Sequence, residues 1–171
     1  MKVVIYEMEN HNIIEKLREP IKHEFIGGEK EFEENVLANI KEICEGLNLP
    51  EIKYTKSQQK IVLKNNQIII DILVTHIDDS ASIFEVKKAP KKHPSTGTSS
   101  QVNAIGQLLL YRNVFKIQTG ITPRLFLIDN KIYERTYWVY LENELPVTLV
   151  QLQKDEVFAP YVTRELMKMH V

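Results

Sequence analysis

The sequence predicts an α/β fold in which helices flank a central mixed β-sheet. Residues 52–87 contain three runs rich in β-branched residues, separated by turn-forming sequences at 64–66 and 78–80. This is the pattern of an antiparallel three-stranded meander. Apolar residues at helical spacing precede and follow the meander. Strands and helices mixed in this order indicate a sheet covered on both faces.

The N-terminal elements follow from local patterns. We predict a short strand at 2–7, a polar helix at 12–18 that ends before Pro20, and another short strand at 22–26. After Gly27 and Gly28, apolar residues recur at three- and four-residue steps from Phe32 to Leu47 and predict a helix. Gly46 and then Pro50 are expected to end it. The strands of the meander are predicted at 52–63, 67–76 and 81–87.

The second half of the chain alternates loop, helix and strand. Prolines, a glycine and Ser/Thr clusters predict a loop at 89–100, and Ser99 or Ser100 is expected to cap the helix that follows through Arg112. A short strand is predicted at 123–128, a strand at 146–152 and a closing helix at 155–169. Residues 132–141 fit a helical period, although their aromatic residues would also suit a strand. A length of 171 residues predicts a single domain, 1–171.

Composition and charge exclude several classes of protein. No apolar run approaches the roughly 20 residues of a membrane span, and acidic residues follow the first methionine too closely for a signal peptide. A cytoplasmic protein that does not enter membranes is therefore expected. Cys44 is the single cysteine, so the chain has no internal disulfide and no cysteine-based metal site. A net charge of -1 argues against tight non-specific binding of nucleic acid.

One carboxylate stands inside the most apolar predicted strand. Asp71 lies between Ile70 and Ile72, and a buried carboxylate needs hydrogen bonds, a partner charge or a metal. Glu85 and Lys87 are two residues apart on the next strand, so they share a face. The turn at 78–80 places residue 71 opposite residue 85 or 86, so the two carboxylates are expected within roughly 5 Å at Cβ. Mg²⁺ or Mn²⁺ would neutralise such a pair.

These residues resemble a known motif. Asp71 followed by Glu85-Val86-Lys87 on adjacent strands of a helix-flanked meander is similar to the PD-(D/E)XK nuclease superfamily. Gln107-Leu-Leu-Leu-Tyr111 is similar to the Gln-x-x-x-Tyr motif of its RecB-type and type I restriction subunits, and the stretch 85–112 resembles the Shedu-type nucleases. One departure is Ile70, which stands where the motif has proline.

The resemblance implies a restriction-endonuclease-like core of order αβββαβ, at about residues 30–128. It implies a Mg²⁺- or Mn²⁺-dependent nuclease, first of all a DNA endonuclease. Gly28-x-x-x-Phe32-Glu33 resembles the helix glutamate of the family, with Glu29 as the substitute. The implied metal ligands are Asp71, Glu85, the carbonyl of Val86, and Glu33; Lys87 would position the attacking water, and Gln107 and Tyr111 would support the site.

Other residues admit both a functional and a structural interpretation. The basic residues after the motif and one polar residue of the next helix could contact nucleic acid; they are Lys88, Lys91, Lys92 and Gln101. His76, by contrast, is expected to be structural, Cys44 a buried thiol, and Asp78 and Asp79 turn formers.

Two alternative functions remain open from the sequence. One is a nuclease-like module that binds nucleic acid or a protein partner without cutting, and the other is an RNA-directed nuclease. Because the chain is short and has no helicase motifs, a partner protein or a homodimer could supply specificity.

Overall fold

A computed structural model describes residues 2–9, 12–17, 28–88, 94–133, 135–136 and 145–153; for 2–9, 12–17, 94–96 and 153 it describes the backbone alone. In chain order the elements are β1 Lys2–Glu9, β2 Asn12–Leu17, α1 Glu29–Ala38, α2 Ile40–Gly46, β3 Ile52–Leu63, β4 Asn66–His76, β5 Ala81–Val86, α3 Pro94–Thr119, β6 Arg124–Asp129 and β7 Thr148–Gln153.

The described strands form one seven-stranded sheet of order β2-β1-β7-β6-β5-β4-β3. The β5–β6 and β6–β7 pairs are parallel, and the other neighbouring pairs are antiparallel. From α1 to β6 the order is helix, three-stranded meander, helix and parallel strand. The predicted α/β class, the mixed sheet and this order are therefore confirmed.

Helices cover both faces of the central strands, as predicted. On one face Leu108 of α3 packs in a core with Ile83 of β5. On the other face Phe32 of α1 packs in a second core with Phe84, whose ring stacks on Phe126 with centroids 4.7 Å apart. Adjacent residues of β5 thus point into opposite cores, the alternation that a strand buried on both faces requires.

Three predicted elements differ from the structure. Residues 12–17, predicted as part of a helix, form β2, because their backbone groups pair with β1 in an antiparallel hairpin. The predicted helix over Phe32–Leu47 is interrupted at Asn39, whose side-chain amide donates to the carbonyl of Asn35 at 2.8 Å; such local bonds compete with the helix.

The third difference concerns the start of α3. The helix begins at Pro94 rather than after Ser99 or Ser100, since proline is tolerated in a first helical turn. The ring of Tyr133 packs directly against Gly97, where a Cβ atom would clash, which explains a glycine inside the helix. The predicted elements at 22–26 and 155–169, and most of that at 132–141, lie outside the described residues. Within the described part of the chain no helix has the length and apolarity to cross a membrane.

A core substitution in α3 tests this packing. Leu108 is 0% exposed, whereas Ile117 of the same helix is 70% exposed. We expect Leu108→Ala to lower the free energy of unfolding by about 2–5 kcal/mol through lost burial and a residual cavity. Ile117→Ala should change it by less than about 0.5 kcal/mol. Urea denaturation measures both, and equal effects would contradict the placement of α3.

Candidate active site

The meander brings Asp71 and Glu85 to the same level of the sheet. In the β4–β5 register Ile72 pairs with Phe84 and Leu73 with Ile83, so Asp71 lies level with Glu85. The backbone ladder ends at the Ile72–Phe84 pair. Beyond it, the N–H of Val86 donates to Oδ2 of Asp71 at 2.9 Å. A side chain therefore replaces the backbone as acceptor at the point where β4 leaves β5.

Next to Asp71, the side chains of β4 switch from one core of the protein to the other. Ile70 packs in the α3-side core and Ile72 in the opposite core, although residues two apart on a strand normally share a face. Across from Asp71, Gln58 of β3 has a left-handed backbone with φ of 48°. That conformation in a non-glycine residue costs about 1–3 kcal/mol and persists only where its surroundings fix it.

Glu85 is buried with one oxygen left unpartnered. The residue is 3% exposed, and Oε1 lies 3.2 Å from Nζ of Lys87. Within the described structure Oε2 is buried and has no hydrogen-bond partner. Such an oxygen normally carries a desolvation penalty of about 1–3 kcal/mol or more unless a further group satisfies it.

Burial and neighbouring charges shift the pKa values of Glu85 and Lys87. Burial, followed by the charge of Asp71, raises the pKa of Glu85 to about 7, although Lys87 opposes the shift. Burial lowers the pKa of Lys87, but the carboxylates of Glu85 and Glu29 outweigh it, and the pKa lies above the usual value. Lys87 therefore carries its proton in the metal-free protein and acts as a donor.

The N-terminal turns of α1 bring further carboxylates to Lys87. Oε1 of Glu29 lies 3.6 Å from Nζ of Lys87. Glu33, one turn later, is partly buried, and burial together with the charges of Asp71 and Glu29 raises its pKa. The structure thus places both the predicted helix glutamate and its substitute beside the strand residues. We call Glu29, Glu33, Asp71, Glu85 and Lys87 the carboxylate cluster.

Gln58 is a member of the site that the sequence analysis missed. Its Nε2 donates to Oε1 of Glu33 at 2.5 Å and to Oδ1 of Asp71 at 3.2 Å. Glutamine is common on exposed strands, so its presence at position 58 carried no signal. A period-two strand pattern also cannot reveal the left-handed backbone that sets the direction of its side chain.

The two predicted residues of α3 differ in their burial. Tyr111 is 8% exposed, and burial and then the charges of Glu85 and Asp71 raise its pKa to about 12. Its phenol therefore stays protonated within electrostatic reach of the cluster. Gln107 lies one turn earlier and is exposed; among the described contacts it forms no hydrogen bond with the cluster.

The predicted contacts with nucleic acid are placed only in part. Lys88 is half-buried next to Lys87, and Lys91 and Lys92 lie outside the described residues. The prediction that Gln101 contacts nucleic acid is corrected by the structure, because Gln101 is 0% exposed and cannot reach a ligand in solution. Its amide donates to Oδ2 of Asp129 at 2.7 Å and accepts from Oγ1 of Thr136 at 2.6 Å and from the N–H of Tyr133 at 3.1 Å. It therefore holds the chain that follows β6 against α3.

The residues expected to be structural are structural. His76 is buried and bonds to the carbonyl of Pro50 at 2.7 Å and to Oγ of Ser82 at 2.8 Å. Burial raises the pKa of the Cys44 thiol to about 12, so it is an inert core residue. Asp78 accepts from the N–H of Ser80 at 3.0 Å, and Asp79 takes a left-handed turn conformation.

The donor set fits a hard divalent cation that takes few protein ligands. No group of three or more His, Cys, Asp or Glu side chains is positioned to enclose a metal in the part of the chain that the structure describes. Mg²⁺ commonly binds through one or two carboxylates and completes its shell with waters and substrate phosphates. Asp71 and the unpartnered Oε2 of Glu85 meet that requirement.

Comparisons with known proteins found similar structures but no matching family. Neither a scan against protein-family models nor a search of curated proteins gave a match. A repair endonuclease from Pyrococcus abyssi is similar in structure with a TM-score of 0.46 and 16% identity, over 70% of this chain and 46% of that chain. Protein VC1899 from Vibrio cholerae gives 0.45 and 12%, over 82% of this chain and 33% of that chain. This chain therefore spans less than half the length of either protein.

Glu85 should govern part of the pH dependence of stability in the metal-free protein. Its pKa rises from 4.5 to about 7 on folding, so the folded state binds more protons between these values. The Glu85 contribution to the free energy of unfolding therefore falls as the pH rises through this range. Relative to wild type, Glu85→Gln should gain up to about 3 kcal/mol between about pH 4.5 and pH 7.5. Urea denaturation in EDTA measures this difference, and a difference that does not change with pH would contradict it.

Gln101 should contribute to stability and not to ligand binding. Gln101→Ala leaves several buried polar groups without partners, and we expect the free energy of unfolding to fall by about 2–4 kcal/mol. Asn103→Ala, at an exposed position of the same helix, should change it by less than about 0.5 kcal/mol. Affinity for nucleic acid, measured where both variants are folded, should equal that of wild type; a selective loss in Gln101→Ala would restore the binding role.

Proposed function

We propose that this chain is a divalent-cation-dependent nuclease that hydrolyses phosphodiester bonds, in the first place as a DNA endonuclease. The observation that carries the proposal is the buried Glu85, which is level with Asp71 and paired with Lys87. One of its carboxylate oxygens has no hydrogen-bond partner among the described residues. The same three residues form the Asp, Glu-x-Lys pattern that resembles the PD-(D/E)XK nucleases.

The charge balance of the carboxylate cluster supports a cation at this position. The cluster contains four carboxyl groups and a single ammonium group. Burial is the main cause of the raised pKa values of Glu33 and Glu85, and the like charges around them add to it. A purely structural cluster would be expected to balance its charges within the chain.

Each residue then has a distinct role. Asp71 and Glu85 would hold Mg²⁺ or Mn²⁺, with the carbonyl of Val86 as a further oxygen donor. Glu33 would hold a second cation or one of its waters. When bound, the cation would polarise the phosphodiester and stabilise the charge that develops on it. The ammonium of Lys87, held between Glu85 and Glu29, would orient the attacking water by donating a hydrogen bond. The protonated phenol of Tyr111 would support Glu85 from the α3 side.

An open pocket beside the cluster offers space for substrate. It has a volume of 410 Å³, and Lys30, Glu33 and Gln58 contribute to its lining. Lys30 is exposed at the start of α1 and could bind a phosphate of the nucleic-acid backbone. Lys88, which follows Lys87 directly, would add positive charge there, and Lys91 and Lys92 come soon after in the sequence. Such phosphate contacts position a substrate without reading its sequence.

Asp71→Asn should abolish cleavage and leave the fold intact. Asparagine keeps an oxygen that can accept from Val86, but it removes the charge that would hold the cation. We expect activity to fall at least 100-fold, because even residues that only support a metal ligand are worth about 10–100-fold. Asp79→Asn is the matched control, since Asp79 lies in a turn at φ of 62° that asparagine tolerates.

The assay uses circular and linear single- and double-stranded DNA, and RNA, with Mg²⁺, Mn²⁺ or EDTA. Cation-dependent cutting by wild type and Asp79→Asn, but not by Asp71→Asn, is the expected result. Cutting of circular DNA identifies an endonuclease, and preference for RNA identifies the RNA-directed alternative. Equal cutting by Asp71→Asn would refute the assignment. Absence of cutting on every substrate would favour a module that binds without cutting.

A further inference from the structure

One amide group joins the two parts of the site that come from distant segments of the chain. Nε2 of Gln58 donates to Glu33 on α1 at 2.5 Å and to Asp71 on β4 at 3.2 Å. Both acceptor oxygens lie within hydrogen-bond distance of the same nitrogen, so they are less than about 6 Å apart. The helix carboxylate is thereby held toward the strand carboxylate.

The backbone of Gln58 indicates that its side chain is needed at this position. Its φ of 48° favours glycine, which adopts the left-handed region without steric cost. An exposed hydrogen bond contributes only about 0.5–1.5 kcal/mol, which is comparable to the backbone cost of about 1–3 kcal/mol. Stability alone therefore gives no reason to place glutamine here. What glutamine supplies and glycine lacks is the amide between the two carboxylates.

An amide also suits this position electrostatically. A lysine would hold the two carboxylates together equally well, but its charge would oppose the binding of a cation. The neutral amide leaves the negative charge of Glu33 and Asp71 in place. It uses one acceptor position on each carboxylate, and each ionised carboxylate offers about four, so the other positions remain available to a ligand.

We propose that Gln58 is a positioning residue that holds Glu33 and Asp71 at the spacing at which they bind a divalent cation together. This inference rests on the proposed cation site and extends it to the first strand of the meander, which contributes no residue to the motif. In this proposal Gln58 acts through the two carboxylates.

The test compares Gln58→Gly with Gln59→Ala by calorimetric titration with Mn²⁺ alone. Glycine accepts the left-handed backbone and removes the amide, so the thermal midpoint should stay equal or rise. Gln59 is the next residue of β3, and its amide donates only locally, to the carbonyl of Lys60 at 2.9 Å. We expect Mn²⁺ to bind about 10-fold more weakly or worse to Gln58→Gly and with unchanged affinity to Gln59→Ala. Cleavage, where present, should require correspondingly more Mn²⁺.

The outcomes separate this inference from the proposed function. Unchanged or tighter Mn²⁺ binding by Gln58→Gly would overturn the inference, even if Asp71→Asn abolishes cleavage and the nuclease assignment stands. Weaker Mn²⁺ binding by Gln58→Gly would support the inference even if wild type cuts none of the substrates. A wild-type protein that binds no Mn²⁺ would overturn it, because there would be no cation site to position.

Discussion

The site depends on a carboxylate buried where two strands separate. Glu85 is buried inside the sheet and level with Asp71. In the described part of the chain one of its oxygens has no hydrogen-bond partner. In an apolar environment this arrangement costs free energy unless a positive group is supplied. Lys87 supplies one charge, and the remaining imbalance is what a divalent cation would correct. The burial of Glu85 therefore costs free energy as long as no cation is bound, and this cost is the basis of the proposed chemistry.

The rest of the fold holds Glu85 and Asp71 in this unfavourable arrangement. The two cores fix β5 from both faces, so Glu85 cannot turn to solvent without moving Ile83 or Phe84. The side chain of Asp71 is tied to the backbone of β5 at Val86. Helix α1 packs through its apolar face and presents its acidic face to Lys87. Stability built elsewhere thus maintains a strained and charged site, as is common at functional sites.

The sequence predicted the parts of this site that depend on short-range pattern. Two turns and period-two alternation were enough to set Asp71 against Glu85 and Lys87. Gln58 could not be predicted, because its role comes from a left-handed backbone and from the approach of α1. Gln101 could not be predicted correctly for a similar reason. A glutamine near the start of a predicted helix is expected to be exposed, and only the packing of residues 129–136 shows that it is buried. The hairpin at β2 was missed because strand pairing overrode a weak helical preference.

Anomalous scattering from crystals that contain Mn²⁺ would show whether Asp71 and Glu85 hold a cation. We expect a peak within about 2.5 Å of carboxylate oxygens of both residues, present in wild type and absent in Asp71→Asn. A site with no peak at saturating Mn²⁺, and with Glu85 unchanged in its contacts, would contradict it. The unpartnered oxygen would then be a structural cost without a cation to explain it.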